Sequence, residues 1–182
     1  MVTSSMSMAA SPPASERLAV VVMGVSGSGK TTVGRRLAEA MGAQFIDGDD
    51  LHSDEARARM AGGGALTDED RWPWLDRVGA TLARGPRVIV ACSALRRVYR
   101  DRLRAAAGPS LRFVYIDADI ETMRERVARR RGHYMPASLV DSQFAALERP
   151  TGEPDVITAP PEARLPASIA TLAAQLGGAA HS

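Results

Sequence analysis

The stretch Gly24-Val25-Ser26-Gly27-Ser28-Gly29-Lys30-Thr31 leaves this chain few folds to choose from. It matches G-x-x-x-x-G-K-[ST], a loop whose backbone N–H groups wrap a phosphate and which works only between a buried strand and the first turn of a helix. Both neighbours are legible. Leu18–Met23 is an unbroken apolar run rich in valine, as expected of a central parallel strand covered on both faces. After it, Val33, Leu37, Ala40 and Met41 recur at helical spacing, and Gly42 is a stop signal. Lys30 is the only lysine, every other basic residue being arginine, so the exception falls where a flexible point charge must reach the β- and γ-phosphates of a nucleotide. The loop and Thr32 are the expected nucleotide contacts, with Thr31 as a Mg²⁺ ligand.

A length of 182 residues with 45% hydrophobic content suits one globular domain, and no apolar run approaches the ~18 residues a membrane span needs. Residues 1–16 read as a loose tail rather than a secretion signal, leaving 17–182 as a single domain. Cys92 is alone, which excludes an internal disulfide or a multi-cysteine metal site and fits a reducing cytoplasm. A net charge of +2 does not by itself argue for nucleic acid.

Apolar runs at Ala43–Ile46, Val88–Cys92, Leu111–Ile116 and Asp155–Thr158 follow the first strand, separated by helical sequence. This alternation predicts an α/β fold, a five-stranded parallel sheet wrapped by helices, with ligands at the carboxyl ends of the strands. About forty residues lie between the second and third runs, too many for one crossover helix. They predict two helices and a loop, an insert over about 49–84 that leans over the site and binds an acceptor.

In Asp47-Gly48-Asp49-Asp50-Leu51-His52, Gly48 permits a tight turn that aims Asp47 and Asp49 at phosphates opening from a neighbouring strand. Such carboxylates hold metal-bound water or deprotonate an attacking hydroxyl, although the same residues also make simple polar turns. His52 is a hydroxyl or carboxylate donor or a surface residue. Thr67 and Asp70 spell a capping box, with Pro73 tolerable in the first turn and Trp74 or Leu75, Val78 and Leu82 as the buried stripe. Two tryptophans among charges also make Asp70, Arg71 and Trp74 candidates for an acceptor pocket.

The third strand ends in Cys92-Ser93 rather than a metal-holding aspartate, so the metal's carboxylate is Asp47 or Asp117, with Asp47 preferred. Ser93 is read as the N-cap of the next helix, with stripe Leu95, Val98, Tyr99 and Leu103. The run Arg124–Arg131 is either a lid closing on a triphosphate or a nucleic-acid patch. Gly132 and a helical stripe of Val140, Phe144 and Leu147 favour a hinged lid over about 126–148, with Arg126 and Arg130 on one face.

The segments GVSGSGKTTVGRRLA, FIDGDDLH, ALTDEDRWPWL, VACSALRRVYRDRLR and RRRGHYMPASLVDSQFAALERP, in that order, resemble the gluconokinases of the P-loop small-molecule kinase group, relatives of shikimate and adenylate kinases. The likeness runs from about Leu18 to Leu176, with arginine replacing lysine at several basic positions. It implies a P-loop NTPase fold and Mg²⁺-dependent transfer of the ATP γ-phosphoryl group to the 6-hydroxyl of D-gluconate. It also implies a homodimer. Carried onto these residues, it makes Lys30 the compensating charge, Asp47 the holder of metal-bound water and Asp49 the base, with Arg126 and Arg130 as lid arginines. For the sugar acid, Arg71 and Arg100 are the expected carboxylate forks, with His52, Asp70 and His133 in the pocket. Shikimate or a nucleoside monophosphate is the alternative acceptor, and a nucleic-acid-binding ATPase the alternative class. A regulatory GTPase is disfavoured because the chain contains no asparagine and no second lysine for an Asn-Lys-x-Asp guanine element.

Overall fold

A computed structural model of the chain describes residues 17–62, 66–129, 137–161 and 165–178. Strands β1 (Leu18–Met23), β2 (Gln44–Asp47), β3 (Arg87–Ala91), β4 (Leu111–Ile116) and β5 (Val156–Ala159) form one parallel sheet in the order β2-β3-β1-β4-β5. The expected five-stranded α/β P-loop architecture is present. Ends of β2, β3 and β5 lie one residue from the apolar runs, since pairing with a neighbour rather than hydrophobicity sets where a strand stops.

Successive side chains of a strand point to opposite faces, so a strand buried on both sides must be apolar throughout. In β1, Ala19, Val21 and Met23 pack with helices α3 (Asp68–Arg84) and α4 (Arg97–Ala107), while Leu18, Val20 and Val22 pack with α1 (Lys30–Met41) and α7 (Pro166–Gly178). A third, smaller cluster joins Val25 and Leu95 to Met123 of α5 (Ile120–Arg129) and to Val140 and Phe144 of α6 (Ala137–Ala146), at the carboxyl ends of the strands. The loops after β1 and β3 leave neighbouring strands toward opposite faces, and the crevice between them is where such sheets bind ligands.

Between β2 and β3 lie a short 3-10 turn (Gly48–Leu51), α2 (Asp54–Ala61) and α3, the two helices expected there. The Thr67–Asp70 capping box forms, and Trp74, Leu75, Val78 and Leu82 are buried. Pro73 falls in the second turn rather than the first, because the helix begins directly after Thr67.

Two expectations are corrected. Strand β2 is not beside β1: it is the sheet edge, and β3 lies between them. Ser93 is not a helix cap, since α4 starts at Arg97; the Glu148 carboxylate, far along the chain, takes the Arg97 N–H at 2.6 Å. Val98, expected in the buried stripe, is exposed, while Tyr99, Arg100 and Leu103 face inward. The tail 1–16, Arg130 and His133 lie outside the described residues. Among those described, no helix is long and apolar enough to cross a membrane.

Candidate active site

The phosphate loop joins β1 to α1. Gly24 opens it at φ +146°, where a Cβ would lie 2.9 Å from Ser28 Oγ and 3.1 Å from Ile116 O, so only glycine fits. Its N–H donates to Ser93 O at 3.3 Å, tying the loop to the segment after β3. Lys30 Nζ curls over the loop and donates to Val25 O at 3.0 Å. Ser28 Oγ is buried with no partner among the described residues.

Asp47 reaches the start of α1 although β2 is a strand away. Its Oδ2 accepts the Thr31 hydroxyl at 3.1 Å, and its Oδ1 accepts the Asp49 N–H at 3.1 Å, capping the 3-10 turn. One carboxylate therefore links the helix that ends the phosphate loop to the turn that carries Asp49. Asp117, the other option for the metal's carboxylate, is bound instead to Arg149 and to the Tyr115 hydroxyl.

The turn is held by contacts that leave no room for a side chain at position 48. A Cβ on Gly48 would lie 2.4 Å from Ala91 O of β3, while Gly48 O accepts the Trp74 indole N–H at 2.7 Å. Trp74 is 3% exposed and stacks on His52 with ring centroids 4.4 Å apart. It is thus a strut beneath the turn, not the pocket contact expected of it. His52 is itself buried, its Nδ1 lacking a partner among the described residues; burial holds its imidazole below the ordinary histidine range against the pull of Asp49, which favours the neutral ring.

Two further expected substrate contacts have other work. Arg100 is fully buried: Nη2 and Nε bind Glu153 at 2.5 and 3.0 Å, and Nη1 donates to Ala94 O and Leu95 O. Every nitrogen is engaged, so it cannot fork a sugar acid; it secures the loop after β3, where Ala94 sits at φ 43°. Asp70 Oδ2 accepts from Thr67 N and Oγ1 and from Arg59 at 2.6 Å, closing the helix cap and tying α2 to α3. Arg71 is about a third exposed and lies over the Tyr99 ring, its Nη1 donating to the Tyr99 hydroxyl at 3.4 Å and pairing with Asp68 at 3.7 Å. Arg126 is half-buried on α5.

Arg96 joins Arg71 around Tyr99. Its guanidinium pairs with Asp68 at 2.6 Å and lies 5.4 Å from the Tyr99 ring centre. The Tyr99 hydroxyl hydrogen bond and the Arg96 charge hold the Asp68 carboxyl below its usual range. Arg71 and Arg96 thus flank the Asp68 carboxylate, at 3.7 and 2.6 Å, with Arg96 in the segment that follows β3. The helix start at Arg97 makes Arg96 the residue just before α4.

The family described as an AAA domain matches residues 20–150. The chain is 44% identical over 142 residues to the thermosensitive gluconokinase of Escherichia coli K12, covering 75% of each protein. The crystal structure of a gluconokinase from Sinorhizobium meliloti 1021 is 44% identical, with a TM-score of 0.76 over 88% of this chain and 96% of that one. The chain belongs to the gluconokinase family. A shikimate kinase from Aquifex aeolicus, 18% identical with a TM-score of 0.63 over 88% of this chain and 97% of that one, shares the fold.

For this gluconokinase family member the donor set beside the loop suits Mg²⁺. Thr31 Oγ1 and Asp47 are hard oxygen ligands at the loop's helix, and among the described residues no group of three His, Cys, Asp or Glu side chains forms an all-protein metal cage. Mg²⁺ keeps much of its water and binds through one or two protein oxygens plus substrate phosphates, so a sparse site of this kind fits it. Cys92 is buried and its thiol pushed up to about 12, leaving it protonated and inert.

Proposed function

We propose that the chain transfers the γ-phosphoryl group of ATP to the 6-hydroxyl of D-gluconate, giving 6-phosphogluconate and ADP. The observation that carries the mechanism is the Thr31–Asp47–Asp49 linkage, which sets a carboxylate pair beside the phosphate loop. Phosphoryl transfer asks the protein for position and charge rather than covalent chemistry. The loop from Gly24 to Thr32 holds the phosphates, and Asp49 takes the proton of the 6-hydroxyl as the hydroxyl oxygen bonds to the γ-phosphorus. The bond to the β–γ bridging oxygen breaks, its electron pair leaving with ADP, and Lys30, swinging from Val25 O, compensates that charge. Thr31, and Asp47 through water, would hold Mg²⁺, which when bound would neutralise β- and γ-phosphate charge. Arg126, with Arg130 from the arginine-rich stretch, covers the phosphates as a lid.

On the acceptor side, Arg71 and Arg96 take the gluconate carboxylate and neutral His52 reads a hydroxyl. The insert over 49–84 is the acceptor-binding part of one domain. The reading includes a homodimer, which the resemblance to gluconokinases implies, in a reducing cytoplasm, which the lone Cys92 fits. A coupled ADP-release assay with gluconate, shikimate and nucleoside monophosphates offered separately tests the acceptor, and light scattering on the same preparation tests for twice the 19.3 kDa chain mass. Turnover on gluconate alone is expected; turnover on shikimate or a monophosphate without gluconate activity rejects the acceptor assignment.

A further inference from the structure

The crest of the phosphate loop is fastened to α6 by one side chain. Gln143 Oε1 accepts the Ser26 backbone N–H at 2.6 Å, and Gln143 Nε2 donates to Ser26 Oγ at 2.8 Å. The amide's orientation is forced. A backbone N–H can only donate, so it must face the oxygen, which brings the NH₂ to the hydroxyl. The Ser26 oxygen is thereby made an acceptor, and its own proton is left to point elsewhere; among the described residues no protein group takes it. Beside this two-point latch, Val25 packs in the same cluster as Val140 and Phe144 of α6, so apolar contact and hydrogen bonds fix the same place.

We propose that Gln143 is a positioning residue for phosphoryl transfer: its amide sets the crest of the loop at Ser26 and turns the Ser26 hydroxyl proton outward, as a donor to the terminal phosphate of ATP. The chemistry suits the location. A phosphate oxygen can only accept, and a serine hydroxyl has a single proton to give, which a donor at one of its lone pairs leaves unclaimed. A helix 117 residues away in sequence thus decides which way a loop hydroxyl points. This rests on the kinase reading given above.

The test compares wild type with Gln143→Ala, Gln143→Glu, Ser26→Ala and the double variant Gln143→Ala/Ser26→Ala. MgATP affinity is measured by titration without any acceptor, and kcat and KM for ATP with whichever acceptor the wild type phosphorylates. Each alanine change is expected to lower kcat/KM for ATP about ten- to hundredfold, as for loss of a hydrogen bond to a charged group, with the melting temperature little moved. The double variant should be no worse than the poorer single one, because both break one arrangement. Gln143→Glu keeps the acceptor for Ser26 N–H but offers a second acceptor to the hydroxyl, reversing its proton, and should not rescue activity. The proposal is overturned if either alanine variant stays within twofold of wild type, if the two losses multiply, or if the glutamate restores wild-type kinetics. Should Gln143→Ala fail to fold, Ser26→Ala and Gln143→Glu still decide. Failure of wild type on gluconate would sink the acceptor assignment while leaving the MgATP comparison intact.

Discussion

At position 48 a hydrogen stands where any other residue would place carbon 2.4 Å from the Ala91 carbonyl. Backbone oxygen cannot retreat as a flexible side-chain tip can, so Gly48→Ala must push the 3-10 turn away from β3. Both carboxylates move with it, since Asp47 caps the turn and Asp49 belongs to it. The expected cost is about 1–3 kcal/mol of stability from overpacking. Misplacement of the reacting groups adds a fall in kcat of roughly a hundredfold. Chemical denaturation and steady-state assays measure the two; a variant with wild-type kcat would show that the position of this turn does not matter to the reaction. The doublet of acids around Gly48 was visible in the sequence, because residue type and spacing are local. The reason for the glycine was not, since it depends on a carbonyl from another strand.

Among elements, α4 shows how much rests on partners from elsewhere. Its Arg100 and Arg104 grip Glu153 in the segment before β5, with the Glu153 side chain 7% exposed. Burial alone would raise the Glu153 carboxyl, but the two arginines overcome it and hold it down to about 2, against an ordinary 4.5. A carboxyl depressed on folding stabilises fully above its ordinary value, and that contribution disappears as pH falls from 4.5 toward 2. Glu153→Gln should therefore cost roughly 3 kcal/mol at neutral pH, and the gap to wild type should close across that acid window. Urea unfolding of both proteins between neutral pH and the acid limit reads this directly; a gap independent of pH would contradict it. Of the expected stripe of this helix, Tyr99 and Leu103 face inward while Val98 is exposed and Leu95 precedes the helix, whose start was misread. Serine is a good cap in isolation, whereas here Glu148 supplies the capping carboxylate and moves the start to Arg97.

For the molecule as a whole, the phosphate loop touches all the packed layers: β1 spans both large cores, α1 belongs to one, and Val25 to the smaller cluster with α5 and α6. A ligand held by the loop therefore restrains the common centre of the fold. MgATP at about a hundred times its dissociation constant should stabilise the chain by about 2.7 kcal/mol, raising the melting temperature by roughly 5–10 °C. Lys30→Ala should melt near the wild-type temperature without nucleotide, show a much smaller MgATP shift, and lose turnover by about a thousandfold or more. Scanning calorimetry with and without MgATP checks the first two claims; an undiminished shift would remove Lys30 from the phosphate site.

The sequence by itself determined the strand–loop–helix unit, the alternation of strands and helices, the two-helix insert and the α3 capping box. Each is written in residues a few positions apart, where periodicity and cap chemistry act. The tertiary structure alone decided that β3 lies between β2 and β1, that Arg100 is a strut, that Glu148 caps α4, and that Gln143 holds Ser26. These pairs are separated by 53, 51 and 117 residues, respectively. Over such distances no spacing rule links donor to acceptor, and only the packed sheet brings them within hydrogen-bond reach.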